Sequence, residues 1–242
     1  MNFLGMMKVG AMMALLSTGV SPVCAQQLTL DAKNYTTPSW TKLTRLMTQM
    51  QSASQPYSIN MTVNGDPKTQ LGFAWFTNPD VKKGKLQIVE KADAAEADFA
   101  QSTLTVEAVS ADVKDLNYVI AKNNVEGIEA NSKRSYTSHK ALAVNLKPGT
   151  TYSFRVGNED AWSEIGHFTT AAESYDKNEG FSFIYITDTQ AQNDGMFDVS
   201  QKTAHAAQKM VSDARFVLVN GDLVETSGTN NSEWEYEQWF ST

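Results

Sequence analysis

Between residues 57 and 170 apolar and polar side chains alternate at a spacing of two, in short runs. Turn formers separate the runs: Asn64-Gly65-Asp66-Pro67, Asn78-Pro79-Asp80, Lys83-Gly84, Lys147-Pro148-Gly149 and Gly157-Asn158. Successive side chains of a strand point to opposite faces of a sheet, so this period marks strands with one buried face. The runs predict strands over 57–63, 69–77, 85–90, 103–109, 118–121, 139–146, 151–157 and 163–170. Short strands at this spacing bury their apolar faces against one another, which argues for a β-sandwich. Trp75 falls mid-run and is the candidate core aromatic. Residues 92–100 are rich in Ala, Asp and Glu and read as a loop or short helix, while 123–135 are polar and read as an exposed loop.

Past the polar linker 171–179 the pattern changes. Phe181-Ser182-Phe183-Ile184-Tyr185-Ile186-Thr187 runs into Asp188, and Arg215-Phe216-Val217-Leu218-Val219-Asn220-Gly221 runs into Asp222. Apolar runs of this length, rich in β-branched and aromatic residues, suit strands buried on both faces. Between them Val199, Ala206, Met210 and Ala214 step by seven, four and four, which predicts one apolar helical face. Strand, helix, strand is a βαβ unit with parallel strands and a right-handed crossover. Its two aspartates then emerge side by side at the C-terminal edge of the sheet, where open α/β sheets place ligands. Crowded carboxylates repel unless a proton or cation lies between them. After a loop over 226–232, Ser232 and Glu235 fit a capping box for a helix over 233–240, with Trp234 and Trp239 as core residues. Only about 60 residues follow the linker, fewer than the ~100 or more such a domain usually takes. The expectation is a fragment or a truncated gene product.

Composition narrows the function. Lys8, the apolar span 9–16 and Val23-Cys24-Ala25 read as a secretory signal over 1–25, cleaved after Ala25, with acylation at Cys24 as the competing reading. The implied location is secreted or periplasmic. A segment over 26–56 follows, with an amphipathic helix at 41–50 carrying Leu43, Leu46, Met47 and Met50. Cys24 is the only cysteine, so the mature domains have neither disulfides nor thiolate chemistry. The net charge of −7 disfavours nucleic-acid binding, and no second long apolar run predicts a membrane span. An anionic substrate stays open, because a bound metal reverses the local field.

Three stretches carry a resemblance. Leu146-Lys147-Pro148-Gly149-Thr150-Thr151-Tyr152, with the closing His167-Phe168-Thr169-Thr170, resembles the turn and corner tyrosine that end a fibronectin type III-like sandwich. Ile186-Thr187-Asp188-Thr189-Gln190 and Asn220-Gly221-Asp222-Leu223 resemble the first two metal motifs of purple-acid-phosphatase-like metallophosphoesterases, of the calcineurin-like superfamily. The resemblance implies a fibronectin-like N-terminal domain over 57–171, then, over 180–242, the first part of an α/β metallophosphoesterase domain. It implies two divalent or trivalent ions of iron, zinc or manganese type in the complete domain. Asp188 would bind the first metal and Asp222 would bridge both, with Gln190 and Glu225 as further candidate ligands, and a phosphate ester would be the substrate.

The chain departs from that family's pattern at several points. Gln190 stands where the wider superfamily has histidine, and Glu225 where the purple enzymes have the tyrosine that colours their iron. The family's Gly-Asn-His motif and later metal-binding histidines do not occur, and His139, His167 and His205 lie elsewhere. Two function classes therefore stand: the N-terminal part of an exported acid-phosphatase-like hydrolase, or a non-catalytic fibronectin-like binding or spacer module with a vestigial catalytic remnant. The catalytic residues and the oligomeric state are not legible.

Overall fold

The structure is a computed structural model that describes residues 54–100, 104–125, 127–174, 180–226 and 232–241. The expected signal segment and the helix at 41–50 lie outside the described residues.

Among the described residues eight strands form two four-stranded sheets. β1 (Tyr57–Thr62), β2 (Leu71–Thr77) and β3 (Lys85–Val89) come first, then a one-turn helix α1 (Glu96–Phe99). β4 (Leu104–Glu107), β5 (Val109–Asn117), β6 (Lys133–Ala143), β7 (Thr151–Gly157) and β8 (Gly166–Thr169) complete the set. One sheet has the order β1-β2-β6-β5 and the other β4-β3-β7-β8, with every neighbouring pair antiparallel. Inward residues of the two sheets, among them Trp75, Leu86, Phe154 and Val156, are fully buried and form one core. Each such side chain removed from water contributes about 1.5–3 kcal/mol. The Tyr152 hydroxyl accepts from Lys147 N–H at 2.8 Å, so the corner tyrosine caps the turn at Pro148-Gly149.

The strand expected over 118–121 is not one. Tyr118 follows directly on β5, whose sequence, VSADVKDLN, is too polar for the alternation rule. It is an edge strand, and its outward residues face water. The expected exposed loop over 123–135 is also corrected. β6 already begins at Lys133, and Tyr118, Val119, Asn123 and Val125 are buried. A 3-10 turn, Ala121–Asn123, turns this segment inward.

After the sandwich come β9 (Ile184–Thr187), the helix α2 (Asp194–Met210), β10 (Val217–Asn220) and the helix α3 (Glu233–Ser241). β9 and β10 pair in parallel, with Tyr185 opposite Leu218 and Thr187 opposite Asn220. The face carrying Ile184, Ile186 and Val217 packs on Ala207, Val211 and Ala214. The opposite face is bare: Phe183, Tyr185 and Leu218 are 45%, 53% and 47% exposed.

The inward face expected for α2 is wrong in part. Val199 is 62% and Met210 86% exposed, while Phe197, Gln201 and Ala204 are buried. The helix serves two partners at once. Its C-terminal end covers the parallel strands, and its N-terminal end inserts Phe197 edge-on against Trp234 of α3, with ring centroids 5.5 Å apart. A single stripe of apolar residues does not describe a helix whose contacts rotate along its length.

The helix α3 joins the two parts of the molecule. Trp234, Tyr118, Val119, Val125, Ala191 and Phe197 form a second apolar cluster between the sandwich and α2. On another face of α3, Glu237 pairs with the buried Arg134 and accepts from the Tyr118 hydroxyl at 2.9 Å. The Arg134 guanidinium lies over the Tyr57 and Tyr118 rings, 4.9 and 4.7 Å from their centroids. Tyr136 donates to Glu233 at 3.3 Å, and burial pushes the Glu233 carboxyl above the usual carboxylate range. The expected capping box is absorbed into this junction. Ser232 Oγ lies 2.8 Å from both Tyr118 O and Asn123 Oδ1, which share its one hydrogen, and the Glu235 carboxylate accepts from Thr226 and Asn123.

Candidate metal-binding rim

The parallel register decides where the two aspartates go. Thr187 and Asn220 are partners, so Asp188 and Gly221 follow at the same level, and Asp222 one step beyond. An isolated parallel bridge between Ala191 and Val224 carries the pairing past both aspartates. Asp188, Gln190, Asp222 and Glu225 are all exposed along this rim.

Gly221 lets the carboxyl of Asp188 lie close. Its φ is +82°, and a Cβ there would stand 2.7 Å from Asp188 Oδ2 and from Thr187 Oγ1. No other residue type fits both the backbone and the space. The Thr187 hydroxyl donates to Asp188 Oδ2, and Gln190 Nε2 donates to Asp222 Oδ2 at 3.0 Å. Gln190 N–H also donates to Asp222 O at 3.1 Å. Asp188 and Gln190 themselves sit in the left-handed region, at φ +50° and +43°. For residues with a Cβ that backbone costs about 1 kcal/mol or more each and persists only where the surroundings hold it.

Thr189, between them, supplies part of that hold. Its hydroxyl donates to Leu223 O at 2.6 Å and accepts from Trp239 Nε1 at 3.1 Å. The loop after β9 is thereby tied to the loop after β10 and to α3. Glu225 donates its backbone N–H to Ala191 O at 3.4 Å, next to the bridge.

The donor set is carboxylate and amide oxygen, which suits hard cations. Among the described residues no three of His, Cys, Asp or Glu come together, so Glu225 does not join the two aspartates in one cluster. The two carboxylates are of the donor type that a hard cation takes, and among the described residues they belong to no three-ligand cluster.

The histidines are occupied elsewhere. His139 is fully buried in the sandwich, stacked on Trp75, with Thr77 and Ser110 hydroxyls each 2.8 Å from its ring nitrogens. Gly84 lies so close that a Cβ would stand 2.8 Å from both rings. Burial holds His139 down to about 4. His167 Nδ1 is 3.0 Å from Ser153 Oγ on β7. Partial burial, and next the Lys209 charge, hold His205 on α2 below the usual histidine range.

Two packed antiparallel sheets closed by a corner tyrosine define a β-sandwich module. Residues 56–170 match the family model described as the purple acid phosphatase N-terminal domain. No curated protein matches the chain. Among solved structures it is similar to the purple acid phosphatase PPD1 from yellow lupin (Lupinus luteus) seeds, at 10% identity and a TM-score of 0.42. That similarity covers 78% of this chain and 39% of the lupin protein. It is also similar to the fn3 domain of human contactin 1, at 14% identity and a TM-score of 0.29, covering 52% of this chain and 82% of that one. A computationally redesigned β-sandwich protein gives 17% identity and 0.29, covering 50% and 97%.

Proposed function

We propose that the chain is the N-terminal part of an exported, metal-dependent phosphoesterase that hydrolyses phosphate esters, with residues 1–25 as its cleaved signal. The observation that carries this reading is the rim itself. Two aspartates follow neighbouring parallel strands, directly after a purple acid phosphatase N-terminal domain. When bound, cations of iron, zinc or manganese type neutralise phosphate charge and activate water. Asp188 and Asp222 would hold the cation, while Gly221 leaves room for the Asp188 carboxyl and Gln190 orients that of Asp222. Gln190, beside the Asp222 carboxylate, is the further oxygen donor on the rim, while Glu225 forms no three-ligand cluster with the two aspartates. The bare face of the β9–β10 sheet supports an α/β layer that is covered by further structure in the complete catalytic domain.

Manganese binding tests the reading. The full chain takes up Mn2+ with weak affinity, seen by loss of the free-ion paramagnetic resonance signal, and Asp188→Asn and Asp222→Asn each abolish uptake. With a phosphate monoester this chain turns over very slowly. Uptake unchanged in both variants would overturn the metal assignment.

A second reading, a binding or spacer module beside a catalytic remnant, is supported by the closed core of the sandwich beside a two-stranded βαβ unit with one face exposed. Its signature is ligand binding that resides entirely in the sandwich and ignores Asp188 and Asp222.

A further inference from the structure

We propose that Asn123, which belongs to the sandwich, is a positioning residue for the Asp188–Asp222 rim. The metal-binding role of that rim rests on the function proposed above. The coupling between Asn123 and the two loops rests on the hydrogen bonds alone.

Asn123 is 1% exposed. Its Oδ1 accepts from Ile120 N–H at 2.9 Å and, at 2.8 Å, from the Ser232 hydroxyl, whose hydrogen it shares with Tyr118 O. Its Nδ2 donates to Gln192 O at 2.9 Å and to Glu235 Oε1 at 2.6 Å. A side-chain amide offers two donors and two accepting lone pairs, so its capacity is fully used. The orientation is fixed by chemistry as well as by fit. Turning the amide over would set its NH2 against the Ile120 N–H and its oxygen against the Gln192 carbonyl.

One of these four bonds closes the sandwich's own turn. The other three leave the sandwich. Gln192 lies two residues beyond Gln190, on the loop that follows β9. Glu235 relays the hold to the other loop, because its second oxygen accepts from Thr226 N–H at 2.9 Å and Thr226 Oγ1 at 2.8 Å. Thr226 follows Glu225 directly. One buried amide therefore grips the loop of Asp188 and, through one carboxylate, the loop of Asp222. Asp188 and Gln190 sit in a backbone region that has to be held from outside, and Asn123 is placed to hold it. The sandwich is then part of the frame of the site, and not a spacer in front of it.

The test uses the full chain with Asn123→Ala, Asn123→Asp and the double variant N123D/E235Q. Amide hydrogen exchange is read at residues 188–192 and 222–226, and in β2, β6 and β7. Mn2+ affinity is read alongside. In N123A and N123D exchange in the two loops rises about tenfold or more while the sandwich strands keep wild-type protection. Mn2+ affinity falls about tenfold. N123D sets two carboxylates against each other. In N123D/E235Q the amide introduced at 235 donates to the carboxylate introduced at 123, and loop protection and Mn2+ affinity are partly restored.

Loop exchange at wild-type rates in N123A overturns the proposal. So does a loss of protection spread equally over β2, β6 and β7, or a double variant no better than N123D. If N123A does not fold, Asn123→Ser, which keeps a hydroxyl near Ile120 N–H but gives up Gln192 and Glu235, is read by the same criteria. A wild-type chain that takes up no Mn2+ overturns the phosphoesterase reading alone, and the exchange measurements still decide the role of Asn123.

Discussion

The sandwich and the βαβ unit solve the same burial problem to different degrees. In the sandwich each sheet is the other's cover, and the inward residues of β2, β3 and β7 reach zero exposure. In the βαβ unit one face of the two-stranded sheet lies under α2, while Phe183, Tyr185 and Leu218 stand half in water on the other. Two parallel strands are not stable alone. What holds them is the junction, a small apolar cluster around Trp234 and a polar network on α3. The contrast shows a self-sufficient domain lending its rigidity to an element that lacks a closed core.

Three measurements break or sharpen that contrast. The largest effect belongs to Trp75, fully buried and stacked on His139. Trp75→Ala costs about 3–5 kcal/mol, read from the midpoint of urea unfolding. If the βαβ unit leans on the sandwich, its loss of helix signal shifts to the same midpoint. Separate transitions would break the comparison.

Next is acid. The folded-state value of His139 lies near 4, below the ordinary 6.5, so the unfolded chain takes up the proton first as pH falls. The stabilisation is complete above about pH 6.5 and is lost progressively down to about pH 4, by on the order of 3 kcal/mol. Unfolding midpoints at pH 7 and pH 4 read this, and a pH-independent midpoint would contradict the buried neutral ring. The smallest effect is on the bare face. Leu218→Ser changes stability by less than about 0.5 kcal/mol, but lowers binding of an apolar dye. A destabilisation of several kcal/mol would mean that the face is covered in this chain.

Much of the sandwich was legible because its strands are half-buried, and burial on one face writes a period of two. The cap made by Tyr152 was legible only through the resemblance of residues 146–152 to the fibronectin type III turn, and not through the period of two. β5 was not, since an edge strand keeps polar residues on its open side and loses the alternation. The α2 face was misread at Val199 and Met210 because the sequence names apolar residues, whereas the structure buries Gln201 and Ala204 and divides the helix between two partners. That Asp188 and Asp222 follow neighbouring parallel strands could be read from strand order alone. Asn123 could not. An asparagine in a polar stretch looks the same in sequence whether it faces water or bonds four groups. Its partners lie up to 112 residues away, and only the buried neighbours Val119 and Val125 hinted that the segment turns inward.

The buried pair of Arg134 and Glu237 has one more consequence. Both side chains are nearly out of reach of solvent, at 10% and 5% exposure, and the guanidinium is covered by two tyrosine rings. Counter-ions weaken attractions that they can surround, and they cannot surround this one. Raising ionic strength should strip the surface pairs Lys82–Asp112 and Lys147–Glu90 of their small contribution and leave the seam between the two halves closed.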